Sequence, residues 1–270
     1  MKMSLKAYAL DVDANLLFTD SKIILEKKDE HWIWKLTEVS QSEFDIFVKD
    51  KENYRFVNWN SEDSLINFRW KWKFQKDIFD AIEHGKFGPS WDAFIEANVN
   101  ANPISIITAR WHPIQDLKST HKAILYDVLS VYQLDELVEN MRNHLWIDSF
   151  KRKETIINLF LKNNYYCPCS DESFLKKIGK NQNDPMHDKK TVAFESFIQH
   201  VIDVFAKYYG KNFINDRNIR VWFSDDSKSN IDTMENFIIS ELIKKYPNIT
   251  YFLYDTQNPH KVKKTSFKKC

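Results

Sequence analysis

The sequence predicts an α/β fold built on a parallel sheet, and three observations predict it. Short apolar runs at residues 6–13, 104–110 and 217–224 read as buried strands. Amphipathic helical patterns lie between them, the succession that parallel βαβ units require. Each strand also stops in polar groups, at Asp11-Val12-Asp13, Thr108 and Asp225-Asp226.

The first strand, Lys6-Ala7-Tyr8-Ala9-Leu10, ends in two aspartates one residue apart. Extended geometry puts side chains at i and i+2 on the same side, so both carboxylates face the mouth of the sheet. Such anions raise each other's pKa unless a cation, usually a metal ion, neutralises them. Taken alone, the stretch reads more simply as a solvated turn, where Asp is common. Residues 22–28 and 31–36 flank a turn at 28–31 and read as a β-hairpin. The short connector from Asp13 places it over the end of the first strand. Residues 40–74 fit helix and strand alike: Ser40 and Glu43 have capping-box spacing, whereas Phe44-Asp45-Ile46-Phe47-Val48 can extend as strand.

Phe74, Ile78, Phe79 and Ile82 fall at helical spacing, and Gly85 and Gly88-Pro89 stop that helix. Ser90 is placed to cap a second helix that carries Trp91, Phe94, Ile95 and Val99 on one face. After the strand ending at Thr108, residues 114–161 read as mostly helical, apart from a strand at 144–148. Residues 165–169 are another short extended piece, and 181–188 a polar loop containing Pro185. A long amphipathic helix begins near Asp188, turns Val192, Phe197, Val201 and Phe205 to the core, and ends before Lys211. A helix with Met234, Phe237, Ile238 and Leu242 follows the third strand, then a strand at 249–254. Beyond Pro259, Lys261, Lys263, Lys264, Lys268 and Lys269 occur with no acid and read as a mobile tail.

Composition narrows the function classes. The chain of 270 residues suits one domain with an insertion, and 43% apolar with 29% charged residues excludes wholesale disorder. Its four glycines fit neither GxGxxG nor GxxxxGK[ST], so a glycine-rich phosphate loop is excluded. A net charge of +1 gives no global field for nucleic acid or anionic membranes. Cys167, Cys169 and Cys270 cannot build a disulfide framework and, with no signal-peptide pattern, point to a reducing, cytoplasmic setting. The Cys-Pro-Cys pair lacks the second ligand pair of a zinc site. No apolar stretch is long enough to span a membrane, and HExxH and GxSxG are both absent.

Ligands gather at the carboxyl ends of strands in an open parallel sheet, so the three polar ends can converge. Their order resembles the haloacid dehalogenase-like (HAD) superfamily of phosphohydrolases. The resemblance rests on a strand ending in DxD (Leu10-Asp11-Val12-Asp13), a strand ending in Thr or Ser (Ile106-Ile107-Thr108), a lysine at a helix start, and an acidic pair after a strand (Phe223-Ser224-Asp225-Asp226). Lys189, in Lys189-Lys190-Thr191-Val192-Ala193, best matches the lysine, with Lys190 the close alternative. Each motif is common alone; the joint order over residues 6–254 is what is specific.

The resemblance implies a three-layer Rossmann-like parallel sheet in a single domain over residues 1–270. A β-hairpin flap follows the first strand, with flap or cap elements at 14–72 and a mostly helical insertion at 113–185. It implies a Mg²⁺-dependent phosphatase in which Asp11 forms an aspartyl-phosphate and Asp13 is the general acid and base. Thr108 would hydrogen-bond a phosphoryl oxygen, and the lysine would offset developing charge. The hard oxygens of Asp11, the Asp13 backbone carbonyl and Asp225 or Asp226 suit Mg²⁺. Two departures stand out: Ala14-Asn15 replaces the usual Gly-Thr, and the loop Asp226-Ser227-Lys228-Ser229-Asn230 is one residue longer than GDxxND, which bears on whether Asn230 reaches the metal shell.

Arg69-Trp70-Lys71-Trp72-Lys73-Phe74-Gln75-Lys76 interleaves cations and aromatics, a composition that can stack bases, although it more often marks a half-buried strand. With the lysine-rich tail it makes a phosphorylated nucleic-acid end or nucleotide one expected substrate. His112 lies near the expected site, where it could assist substrate binding, although a loop histidine is more often merely solvated. The competing expectation is a catalytically idle binding protein on the same fold; four clustered carboxylates, costly for a mere scaffold, argue for the enzyme.

Overall fold

The computed structural model describes residues 4–39, 44, 47, 50–59, 61–64, 66, 71–145, 147, 150–210, 212–216 and 218–269. Its strands are β1 Ser4–Leu10, β2 Ile23–Lys28, β3 Trp34–Val39, β4 Tyr54–Phe56, β5 Ile104–Thr108, β6 Tyr165–Pro168, β7 Asn218–Asp225, β8 Ile249–Asp255 and β9 Lys263–Phe267. The longer helices are α1 Lys71–Glu83, α2 Trp91–Val99, α3 Ile114–Asp127, α4 Val131–Leu145, α5 Lys153–Asn163, α6 Glu172–Lys177, α7 Met186–Tyr209 and α8 Lys228–Phe237. Together they form a mixed α/β fold on a six-stranded sheet of order β6-β5-β1-β7-β8-β9. All neighbours in it are parallel except the β8–β9 pair.

The residues of β5 are all buried, which is why Ile104-Ser105-Ile106-Ile107-Thr108 is a nearly continuous apolar run instead of an alternating one. In the centre, β1 and β7 pair from Ser4↔Asn218 to Leu10↔Ser224. Tyr8 and Trp222 therefore share a face, their rings stacked at 4.7 Å, and Trp222 stacks on Phe252 at 4.8 Å. Lys6, on the same face, reaches Glu96 of α2 at 3.7 Å. Phe223 points the other way and meets Phe194 of α7 at 5.3 Å. Helices thus pack on both faces of the sheet.

The hairpin forms as β2 and β3, and β4 joins the other edge of β2 to make a small separate sheet. At its tip the Asp29 carboxylate accepts from the backbone N–H of His31 and Ile33, an Asx-type turn that holds Trp32 at φ 64°. The proposed cap at Ser40 to Glu43 lies outside the described residues, as do Arg69 and Trp70 of the cation-aromatic run and Cys270.

Three expectations are corrected. The strand expected at 144–148 is instead the end of α4 at His144 and Leu145, because Leu134, Leu137, Val138, Met141 and Leu145 form one buried helical stripe; Trp146 and Asp148 lie outside the described residues. The lysine-rich tail, expected without regular structure, carries a strand: Lys263–Phe267 forms β9, paired antiparallel with β8 from Tyr251↔Phe267 to Asp255↔Lys263. Lysine on an edge strand discourages pairing with another chain, which accounts for this composition. The long helix starts at Met186, two residues before the expected point, with Pro185 at its N-cap. The stretch 113–185 also supplies β6 to the main sheet, alongside its helices.

Candidate active site

The strand order changes direction at the centre of the sheet: β5 and β6 lie on one side of β1, β7 and β8 on the other. In open α/β sheets that reversal opens a crevice at the strand ends. The N–H of Asp11 donates to the Ser224 carbonyl at 3.1 Å, which brings the end of β1 beside the Asp225 end of β7. Asp11 and Asp225 are almost completely buried, at 1% and 0% exposure. One carboxylate oxygen from each of Asp11, Asp225 and Asp226 lies within 4.8 Å of the others, so these three residues can hold a metal ion.

Lys190 supplies the countercharge. Its Nζ lies 3.0 Å from Asp11 Oδ1 and 2.7 Å from Asp225 Oδ2. Lys189, the residue the sequence favoured, turns away and donates to the Gln182 carbonyl at 2.7 Å. Asp225 Oδ1 accepts from the Ser227 N–H and from Asn230 Nδ2, both at 2.9 Å. Asn230 therefore reaches the acidic cluster through Asp225 despite the longer loop.

Among the described residues, neither oxygen of Asp11 accepts a hydrogen bond, even with Lys190 beside Oδ1. A buried carboxylate without a hydrogen-bond donor is costly. Burial holds the Asp11 carboxyl well above the usual range; Lys190 opposes this, while Asp225 and Asp226 add to it. The Asp226 carboxyl is pushed up to about 7 by burial and then by Asp225. Burial alone would lower the pKa of Lys190, but Asp11 and Asp225 raise it further, so the ammonium stays charged. Three acids around one lysine leave the cluster short of positive charge, and the all-oxygen donor set suits a hard divalent cation.

Asp13 has a different environment. Its Oδ2 accepts from Arg110 Nε at 2.9 Å, and its Oδ1 from Arg110 Nη2 at 2.7 Å and Thr19 Oγ1 at 2.6 Å. Burial would raise the Asp13 carboxyl, but the Arg110 guanidinium outweighs it and holds the group below the usual carboxylate range. The Asp13 carboxylate is not part of the metal-holding group. Arg110, itself at 0% exposure, extends to Asp77 Oδ2 of α1 at 3.0 Å, and the Ser21 hydroxyl donates to that same oxygen. Thr108 is buried, and its Oγ1 accepts from the Arg110 N–H at 3.2 Å.

The turn after Asp13 is built on Ala14 and Asn15. Ala14 adopts φ 55°, the left-handed region that glycine occupies without penalty. Asn15 Nδ2 donates to the carbonyls of Asp11 at 3.0 Å and Ser224 at 3.3 Å, tying the two central strands together. Its Oδ1 accepts from Ser224 Oγ at 2.6 Å, Ser90 Oγ at 2.8 Å and Thr256 Oγ1 at 2.9 Å. Ser90 thus precedes α2 as expected, but its hydroxyl serves this clamp and makes no side-chain cap. Gly88 permits the close approach: a Cβ there would lie 2.3 Å from the Asn15 carbonyl oxygen. Replacing Ala14 by Gly should relieve the left-handed strain and stabilise the protein by about 1 kcal/mol. The urea midpoint measures this; an unchanged or lower midpoint would show that the turn is unstrained.

Asp11, Asp225, Asp226 and Lys190 therefore converge; Asp13 and Thr108 meet through Arg110; Lys189 stands apart. Sequence reasoning missed Arg110, Asp77, Thr19 and the Asn15 clamp. The one available signal was an arginine two residues beyond a strand-ending threonine. His112 is fully buried, its ring 4.9 Å from that of Phe74, which overturns the expectation of a solvated loop histidine. Cys167 and Cys169 are buried free thiols, and burial raises both pKa values.

No family model, curated protein or solved structure matches this chain. Among the described residues, no helix is long and apolar enough to cross a membrane.

Proposed function

We propose that the protein is a phosphatase of the haloacid dehalogenase type, on a three-layer Rossmann-like sheet, hydrolysing a phosphomonoester through Asp11. The observation that carries this reading is the Asp11 carboxylate, buried, without a hydrogen bond, and grouped with Asp225 and Asp226 beside Lys190. A carboxylate that accepts no hydrogen bond among the described residues, and has the Lys190 ammonium beside one oxygen, keeps lone pairs for attack as a nucleophile. Mg²⁺ held by Asp11, Asp225 and Asp226 would neutralise the carboxylates and polarise the phosphoryl oxygens.

Asp11 attacks phosphorus, the bond from phosphorus to the ester oxygen breaks, and Asp13, which Arg110 keeps ionised at rest, takes up a proton from solvent and passes it to the departing alkoxide. Water then attacks the aspartyl-phosphate, Asp13 takes its proton, and phosphate leaves as the Asp11 carboxylate is restored. Lys190 steadies the charge on Asp11 and on the phosphoryl group throughout. The Thr108 hydroxyl, which accepts from the Arg110 N–H, keeps its proton for a phosphoryl oxygen.

Replacing Asp11 by Asn should abolish Mg²⁺-dependent hydrolysis of a generic aryl phosphate while the far-UV circular dichroism stays unchanged. Undiminished turnover in a folded Asp11→Asn protein would refute the mechanism.

A further inference from the structure

We infer that Arg110 is the positioning residue for Asp13, fixing which carboxylate oxygen moves the proton; this rests on the phosphatase reading above. Two parallel N–H donors from one planar guanidinium fix a carboxylate in plane and rotation, which a lysine ammonium cannot do. Arg110 meets both Asp13 oxygens in this way, at 2.9 and 2.7 Å. Oδ1 accepts a second bond from Thr19 and is saturated. Among the described residues Oδ2 accepts from Arg110 Nε alone and keeps one lone pair, so Oδ2 is the atom that exchanges the proton with the leaving group and then with water.

The guanidinium is itself held from behind. Its Nη1 donates to Asp77 Oδ2 at 3.0 Å, its Nη2 also reaches Thr19 Oγ1 at 2.9 Å, and its Cζ lies 5.4 Å from the centroid of the Phe74 ring. Asp77 and Phe74 belong to α1, and Thr19 and Ser21 to the segment leading into the flap. The orientation of Asp13 is therefore set by three separate parts of the chain.

Proton donation matters only when the departing group needs a proton, and this separates positioning from a purely structural role. For Arg110→Lys, kcat/KM on an alkyl phosphate should fall by about 100-fold, the scale for a misplaced catalytic group. On 2,4-dinitrophenyl phosphate, whose leaving group departs as an anion, it should fall by less than about threefold. Asp77→Asn and Thr19→Val leave Arg110 in place and should show the same selectivity at smaller amplitude, about 3- to 10-fold on the alkyl ester. They keep the test available if Arg110→Lys does not fold. Equal losses on both esters, or none on the alkyl ester in any variant, would overturn the assignment of Arg110 while the phosphatase reading stands. A wild-type protein that hydrolyses neither ester with Mg²⁺ would overturn both.

Discussion

Lys190→Met should destabilise the metal-free protein at pH 8 by about 3–5 kcal/mol, the range for removing one partner of a buried ion pair. The Lys190 ammonium is 1% exposed and sits 3.0 Å from Asp11 and 2.7 Å from Asp225. Methionine matches its length and packs well in an apolar setting, so the loss comes from carboxylates left buried without their counter-ion. Lys189→Met provides the control: that ammonium makes one bond to a backbone carbonyl, and its loss should cost only about 1 kcal/mol. Urea unfolding of the two variants side by side measures the difference. Equal losses would mean that Lys190 does not neutralise the cluster. Millimolar Mg²⁺ should restore part of the stability of Lys190→Met, because a divalent cation can replace the missing charge.

Why the sequence favoured Lys189, which lies away from the acidic cluster, over Lys190, which lies in it, is a matter of helical phase. Adjacent residues on a helix point about 100° apart, so only one of Lys189 and Lys190 can face the strand ends. Nothing local says which, because the answer depends on where α7 starts and on how it lies against β1, β5 and β6. The strand ends were legible because each polar group follows directly on an apolar run. Arg110 was not: Thr108-Ala109-Arg110 reads as a strand fraying into a solvated loop, and its partners Asp13 and Asp77 lie 97 and 33 residues earlier. An arginine is expected at the surface unless its partners are known, and those partners meet only in three dimensions. The lysine-rich tail misled for a related reason. Its charge pattern looks unfolded, but Lys264 lies over the Tyr254 ring at 4.8 Å and the backbone is satisfied by β8.

The acidic cluster should make stability depend on pH in opposite directions in two windows. Asp13 has a lowered pKa in the folded protein, so its contribution is present above the unfolded carboxylate value near pH 4 and is lost as pH falls through the depressed value. Asp11 and Asp226 are raised, Asp226 to about 7. The folded protein keeps protons there that the unfolded chain has released, so their contribution is complete below pH 4 and is lost as pH rises through the folded values. The slope is about 1.4 kcal/mol per pH unit for each proton. Without metal, stability should therefore decline between pH 4 and 7, a range in which most proteins gain it. A divalent cation competes with these protons, so its stabilising effect must grow as they leave. Thermal melts in 10 mM Mg²⁺ should exceed metal-free melts by several degrees at pH 8 and by little at pH 5, with Asp225→Asn reducing the difference. An increment that is equal at both pH values, or larger at pH 5, would place Mg²⁺ binding away from Asp11, Asp225 and Asp226.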